Sequence, residues 1–306
     1  MLIAMERTTE ESLRLLKERD NPKRRRLLSG VGKLIHPVIF GAAAAQVNKE
    51  YERVVIGHEN IPLDRPSIIV ASHQTHQDGI NYILATGGPI NSLAAIDGDS
   101  TKAEWSLLEM MGITPVLRGD SELARGSQKA AYEEMIQKTE KIPRTKGLMP
   151  RHFVCPEATY CLAFNDMLDL HMGSAVGVAN ETKEVGTSII PATAVYVPKD
   201  DKGGIEISCV EFGRPFELMK YSDFMTAANA LREIILGMKI DLNEKYNPGM
   251  KPEEWAMFIA AQAKKYPNDL DYYGNIEYTI NYRKAKTEEE RKAVQKRFKP
   301  QLQQAV

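Results

Sequence analysis

The chain has 306 residues, of which 43% are hydrophobic and 26% are charged, as in an ordinary globular protein that holds one large domain with or without appendages. A formal net charge of -1 gives the molecule no overall attraction for nucleic acid, so no nucleic-acid partner is expected. Its three cysteines are odd in number and lack the spacing of metal ligands, which indicates reduced thiols and a cytoplasmic protein.

The first 50 residues are predicted to be a helical segment. Thr8 and Glu11 form a capping box before the first apolar positions. The basic run 23–26 then precedes an apolar stretch that ends at Phe40, which suits either an anionic membrane surface or a solvated charge run before a packed helix. We find no signal peptide and no window of about 20 residues without charges or breakers, so a membrane-spanning helix is not expected.

From residue 51 onward, short apolar runs alternate with longer helical patterns. The predicted strands are residues 53–57, 67–72, 112–118, 151–155, 188–197 and 204–212, and the predicted helices are residues 78–85, 102–111, 121–141 and 223–245. This alternation predicts an α/β domain over residues 51–247, with a mixed, largely parallel sheet flanked by helices.

Residues 248–306 are predicted to be a C-terminal helical extension on this domain. The turn at residues 247–249 (Asn-Pro-Gly) ends the preceding helix. A helix is expected over residues 253–266, and Thr287 with Glu290 forms a capping box before a last one. We expect a packing role or a lipid-surface role for this extension rather than a catalytic one.

The stretch Ser72-His73-Gln74-Thr75-His76-Gln77-Asp78 directly follows a predicted strand. A histidine there can act as a general base, because a nearby carboxylate fixes the tautomer of the imidazole and stabilises its protonated form. A pair with this spacing also arises by chance, so alone it is only a hypothesis. His73, His76 and Asp78 could instead bind zinc in a metal-dependent hydrolase, although the remaining histidines offer no further ligand-like pairing.

Three further segments contain candidate binding residues. Residues 112–118 place Arg118 at a strand end, where its guanidinium could bind a phosphate, although a surface arginine is the commoner case. In Val154-Cys155-Pro156-Glu157-Ala158-Thr159-Tyr160, Glu157 and Thr159 follow a strand and could hydrogen-bond a polyol, or Thr159 could simply cap a helix. Pro191 within the apolar run 189–195 predicts a strand edge or a bulge.

Together, and in this order, the four segments resemble the four motifs of the 1-acylglycerol-3-phosphate acyltransferase family, part of the glycerolipid acyltransferase superfamily. The family's Asn-His-x4-Asp corresponds to residues 72–78, and its Phe-Pro-Glu-Gly-Thr-Arg to residues 155–160. Its second motif, which ends in arginine, corresponds to residues 112–118, and its apolar run around a proline to residues 189–194. Two flanking stretches are similar as well, Gly57-His58-Glu59-Asn60-Ile61-Pro62 and Lys102-Ala103-Glu104-Trp105, and the resemblance extends over residues 51–246.

The resemblance implies acyl transfer to the free hydroxyl of a lysophospholipid, with 1-acylglycerol 3-phosphate as the expected acceptor and phosphatidate as the product of this phospholipid biosynthesis step. The donor would be a thioester of coenzyme A (acyl-CoA) or of acyl carrier protein, and neither a metal nor another cofactor is implied. His73 would be the general base and Asp78 would orient it. The substrate-binding residues would be Arg118, Glu157, Thr159 and Lys102. The enzyme would act as a peripheral protein on the inner, cytoplasmic face of a membrane.

Three positions depart from the family pattern. Ser72 replaces an asparagine, Ala158 replaces a glycine, and Tyr160 replaces an arginine that helps to bind the acceptor phosphate in many members. Phosphate binding would then depend on Arg118, with Lys102 as a second cation. The departures also motivate a different hypothesis, a degenerate member that binds lipid or a protein partner without turnover.

Overall fold

The computed structural model describes residues 37–75, 77–87, 90–95, 109, 112–116, 122–141, 149–155, 161, 164–167, 175–264, 287, 289–290 and 293. The strands are β1 (Glu52–Ile56), β2 (Ser67–Ala71), β3 (Asn91–Ala95), β4 (Ile113–Val116), β5 (Arg151–Val154), β6 (Ser188–Pro198) and β7 (Ile205–Phe212). They form one seven-stranded sheet in the order β1-β7-β6-β2-β5-β3-β4. Neighbouring strands are parallel except for the antiparallel pair β6–β7, which confirms the predicted α/β fold with a mixed, largely parallel sheet.

The helices are α1 (37–50), α2 (Asp78–Ala85), α3 (Glu122–Lys141), α4 (Ala175–Glu181), α5 (Phe224–Tyr246) and α6 (Pro252–Ala263). Short 3-10 helices cover His58–Asn60, Lys183–Val185 and Leu218–Lys220. Helix α5 begins where predicted because the Asp223 carboxylate caps it, accepting a hydrogen bond of 2.8 Å from the backbone N–H of Thr226. The helix expected over residues 102–111 lies outside the described residues except for Glu109, which is helical.

Strand β2 lies in the middle of the sheet and all five of its residues are buried. Ile69 and Ala71 point into one core cluster, whereas Ile68 and Val70 point into a second cluster on the opposite face of the sheet. A strand that is covered on both faces needs a continuous apolar run rather than an alternating one. The sheet is therefore the middle layer between two helical layers.

Helix α6 packs into the same core as the sheet. Trp255, Phe258 and Ile259 are buried in the cluster that contains Ile69, and the Trp255 ring lies 5.4 Å from the ring centroid of Phe164. The chain after residue 248 thus contributes to the central core at least as far as this helix. Where the boundaries of the domain and its two flanking segments lie stays a prediction.

The capping box predicted near the C-terminus is present. The Thr287 backbone N–H donates to Oε2 of Glu290 at 3.0 Å, and the Glu290 backbone N–H donates to Oγ1 of Thr287 at 3.1 Å. The N-terminal capping box and the basic run 23–26 lie outside the described residues. Within the described part of the chain, none of the helices combines the length and the apolar character needed to cross a bilayer.

The prediction that Pro191 marks a strand edge or a bulge is confirmed on the side of β6 that faces away from β2, where the regular pairing with β7 ends. Pro191 lies inside β6, paired with Val70 of β2 on one side, and its carbonyl accepts a hydrogen bond of 2.8 Å from Gly213 on the other. The N and C=O of a strand residue face the same neighbour, so the missing N–H of Pro191 faces the end of β7, where the ladder stops at Phe212. Ala192 pairs with Phe212 whereas Ile189 pairs with Phe216, so the chain opposite Ile190 and Pro191 contains one extra residue, as in a β-bulge. A second irregularity of the register lies at Val197/Pro198.

His152 is a fully buried histidine of β5, on the sheet rather than in the candidate site. Thr139 donates its hydroxyl proton to the carbonyl of Met135 at 2.8 Å, so the Thr139 oxygen accepts from Nε2 of His152, also at 2.8 Å. Nδ1 has no hydrogen-bond partner among the described residues. Burial, and secondarily the charge of Lys138, lowers the pKa of His152 to about 3.

We expect His152 to make the protein less stable in acid. The imidazole of His152 binds a proton near pH 6.5 in the unfolded chain but only near pH 3 in the folded chain. The stability that the neutral ring gives the folded state is therefore fully present above pH 6.5 and is lost as pH falls towards 3. At pH 4.5 the loss of unfolding free energy is roughly 2 to 3 kcal/mol. Urea titrations from pH 7 to 4 should give a shallower decline for His152→Gln than for the wild type. If the free energy of unfolding fell equally with pH in both proteins, His152 would not be the cause of the acid sensitivity.

Candidate active site

The candidate site lies where the parallel strands end. Strands β2, β3, β4 and β5 run in the same direction, so their carboxyl ends open on one edge of the sheet. His73 comes two residues after β2, and Asp78 is the first residue of α2. The connection between them turns tightly, with the Asp78 N–H donating to the Thr75 carbonyl at 3.1 Å, and this turn brings the two side chains together.

The imidazole of His73 and the carboxylate of Asp78 form a direct pair. Nδ1 of His73 lies 2.9 Å from Oδ2 of Asp78. The His73 side chain is 22% exposed and that of Asp78 only 1%, so the ring can reach a substrate while the carboxylate is shielded from water. A carboxylate can only accept, hence Nδ1 donates and the lone pair of the neutral ring lies on Nε2. The pair therefore has the form of an oriented general base.

The Asp78 carboxylate accepts hydrogen bonds from five donors. Oδ2 accepts from His73, from the Gln74 N–H and from the Thr75 N–H at 2.9 Å. Oδ1 accepts from the Thr75 hydroxyl at 3.3 Å and from the Tyr196 hydroxyl. Donors on both oxygens hold the carboxylate in one orientation, which suits a group that orients a histidine better than a group that binds a metal.

Tyr196 reaches this carboxylate from β6, across the sheet. The phenol is fully buried, and burial first, then the charge of Asp78, raises its pKa well above the ordinary value for tyrosine. Its oxygen accepts from Nδ2 of Asn81 at 3.4 Å, and Oδ1 of Asn81 accepts from the Tyr51 hydroxyl at 3.2 Å. Tyr196 is thus a protonated donor aimed at Asp78. No spacing or motif in the sequence indicates this role.

The turn that contains His73 is tied to its surroundings on two further sides. The Ser72 hydroxyl lies 2.9 Å from Oγ1 of Thr193 on β6, and the Tyr82 hydroxyl donates to the Ser72 carbonyl at 3.2 Å. The Cys161 N–H donates to the His73 carbonyl at 2.6 Å. Ser72 therefore anchors the turn to the sheet.

Several side chains proposed from the sequence lie outside the described residues: Lys102, Arg118, Glu157, Thr159 and, for the zinc hypothesis, His76. Their roles stay predictions. Of the predicted site residues, the structure brings together His73 and Asp78. The residues on either side of 156–160 both lie at this turn, because the Cys155 thiol is 4.0 Å from the Ser72 carbonyl and Cys161 binds the His73 carbonyl. Among the described residues, no cluster of three histidine, cysteine or acidic side chains could hold a metal ion.

The fold and the site define an α/β protein with a carboxylate-oriented histidine at the carboxyl edge of a largely parallel sheet. No protein-family model matches the sequence, and no curated protein matches it. Among solved structures, the chain is similar to that of the 1-acyl-sn-glycerophosphate (LPA) acyltransferase PlsC from Thermotoga maritima. The two are 20% identical with a TM-score of 0.46, over 76% of this chain and 86% of that chain.

Proposed function

We propose that this protein is an acyltransferase that moves a fatty acyl group from a thioester to the free hydroxyl of a lysophospholipid, with 1-acylglycerol 3-phosphate as the acceptor. The observation that carries the proposal is the 2.9 Å contact between His73 and a buried, fully hydrogen-bonded Asp78 at the end of β2. The order of the four motif-like segments along the chain supports it.

In the proposed reaction, Nε2 of His73 accepts the proton of the acceptor hydroxyl while its oxygen attacks the thioester carbonyl carbon. The carbonyl π electrons move to oxygen, and backbone N–H groups stabilise this oxyanion. When the carbonyl re-forms, the carbon–sulfur bond breaks and the thiolate takes the proton from the imidazolium. Asp78 stabilises the imidazolium between the two transfers. The ester and the thiol are released, and His73 returns to its starting state.

The proposal assigns substrate contacts to four residues outside the described part of the chain. Arg118 binds the acceptor phosphate through its planar guanidinium, with Lys102 as a second cation. Glu157 and Thr159 hydrogen-bond the glycerol. The donor is acyl-CoA or an acyl carrier protein thioester, and the proposed reaction uses neither a metal nor another cofactor.

A thiol-release assay tests this function. Purified protein is incubated with oleoyl-CoA or an acyl carrier protein thioester and 1-oleoylglycerol 3-phosphate in mixed micelles, and the lipid product is identified by mass spectrometry. Thiol release that depends on acceptor, with phosphatidate as product, is the expected outcome. Tight lysolipid binding without turnover on either donor would favour the degenerate, binding-only hypothesis, and stoichiometric zinc in an active hydrolase would favour the metal-dependent one.

We also propose that the protein is cytoplasmic and binds the inner face of a membrane peripherally through the basic run 23–26 (Lys-Arg-Arg-Arg) and the apolar residues that follow it. Each basic side chain near an anionic surface contributes about 1 kcal/mol, so replacing all four with glutamine should weaken binding to vesicles with anionic lipid by about 10³-fold. Flotation with vesicles of 30% phosphatidylserine, against pure phosphatidylcholine as the control, measures this. Equal flotation of the wild type and the variant would contradict it.

A further inference from the structure

Lys239 lies in the middle of α5 with no exposed surface. Lysine is almost never fully buried, because its ammonium must lose its water shell and regain hydrogen bonds inside the protein. Nζ of Lys239 donates to the carbonyl of Asp166 at 2.7 Å and to the side-chain oxygen of Gln74. Neither contact takes part in the acyl-transfer steps, so the burial of this cation needs another explanation.

Gln74 is the residue directly after His73, and each part of it is tied down. Its side-chain nitrogen donates to the carbonyl of Ala194 on β6 at 2.9 Å, and its side-chain oxygen accepts from Lys239. Its backbone N–H donates to the carboxylate of Asp78. Lys239 therefore acts on a residue whose backbone is itself part of the Asp78 hydrogen-bond set.

The other partner of Lys239 is the loop 164–167, and α5 binds this loop through three side chains. Nδ2 of Asn243 donates to the carbonyl of Phe164 at 3.0 Å and to Oδ1 of Asn165 at 2.8 Å. Arg232 lies 3.4 Å from Oδ1 of Asp166. Residues 232, 239 and 243 share one face of the helix, as their spacing of seven and four requires.

This loop leads back to His73. The Cys161 thiol donates to the carbonyl of Asp166 at 3.4 Å, and the Cys161 N–H donates to the carbonyl of His73 at 2.6 Å. The Asp166 carbonyl thus accepts from both Lys239 and Cys161. The Lys239 ammonium therefore contacts two groups that hold His73 in place, the Gln74 side chain and the loop 164–167.

We propose that Lys239 is a positioning residue for His73. Its ammonium joins the Gln74 side chain to the Asp166 carbonyl, and so holds the backbone of His73 between Gln74 and Cys161. A methionine of similar length has no N–H donors and cannot hold the two oxygens together. This inference rests on the proposed function insofar as it gives His73 the role of base, whereas the structural part can be tested without turnover.

The test compares Lys239→Met with Lys245→Met, the same change at an exposed lysine of the same helix. Hydrogen–deuterium exchange is followed in peptides that span residues 72–78 and 161–167, with α3 as the internal reference. For Lys239→Met we expect exchange at least tenfold faster in both peptides and unchanged in α3. We also expect kcat to fall by tenfold or more, with the KM for the thioester within about twofold of the wild type. Lys245→Met should match the wild type throughout.

Wild-type exchange and kcat in Lys239→Met would overturn the proposal, and so would faster exchange spread equally over all peptides, which indicates a role in global stability. If Lys239→Met does not fold, Gln74→Met removes the same contact from the other side. Gln74→Met should speed up hydrogen–deuterium exchange in the peptide 161–167. Unchanged exchange in that peptide would again overturn the proposal. A wild type without acyl transfer would refute the proposed function alone, and the exchange results would still decide the role of Lys239.

Discussion

Replacing His73 with alanine should lower kcat for acyl transfer by about 10²–10⁴-fold, the usual contribution of a general base. The fold should survive, because the His73 ring is partly exposed and its backbone contacts with Cys161 do not need the imidazole. The thiol-release assay measures the rate, and thermal unfolding measures stability. His58→Ala is the control, since His58 is an exposed histidine whose Nε2 lies 3.3 Å from the Thr86 carbonyl rather than against Asp78. Normal turnover by a purified His73→Ala protein would remove the basis of the proposed mechanism.

Asp78→Asn should be as inactive as His73→Ala but less stable. The amide nitrogen would face donors that now bind a carboxylate oxygen, and an N–H directed at the His73 ring would favour the tautomer that cannot act as a base. A donor left without its buried acceptor costs about 1–3 kcal/mol. Urea titration should therefore separate the two variants, although their rates are alike. Equal stability of the two would show that the hydrogen bonds to Asp78 contribute little to folding.

Tyr196→Phe should lower kcat about tenfold, because it removes one oxygen atom and with it a buried donor to Asp78. Hydrogen bonds to charged groups contribute about 1.5–3 kcal/mol, and part of this is expected to appear in catalysis through the orientation of His73. The wild type should also lose stability at high pH through Tyr196, and the variant should not. Because burial raises the pKa of Tyr196, its contribution is complete below pH 10 and declines as pH rises above 10, where the unfolded chain ionises first.

Tyr82→Phe is the control for this experiment. Tyr82 is as buried as Tyr196, but its hydroxyl donates to the Ser72 carbonyl instead of to Asp78. Both variants should lose stability, and only Tyr196→Phe should lose most of its kcat. A similar fall in kcat for both would mean that any buried hydroxyl near the turn matters equally. The particular link from Tyr196 to Asp78 would then have no special importance.

Local patterns in the sequence were sufficient for much of the fold. The short apolar run of β2 predicts a strand, and the alternation of strands with helices predicts an α/β domain with a mixed, largely parallel sheet. Strand β3 could not be found this way, since Asn-Ser-Leu-Ala-Ala contains no β-branched residue and is a strand only because β5 and β4 pair with it. Pro191 predicted an edge or a bulge, but only the strand pairing shows that the irregular register faces the end of β7 rather than β2.

The same division applies to the candidate site. His73 and Asp78 are five residues apart, and a short turn from a strand into a helix suffices to join them, so their spacing along the chain was enough to predict this pair. The side chains that surround the pair come from distant parts of the chain and depend on how it folds. Tyr196 lies 118 residues after Asp78 on β6, and Lys239 lies on a helix for which the sequence predicts only the helix itself. Which distant side chain reaches a buried carboxylate depends on the order of strands in the sheet and on the packing of helices against it, and no local spacing encodes either.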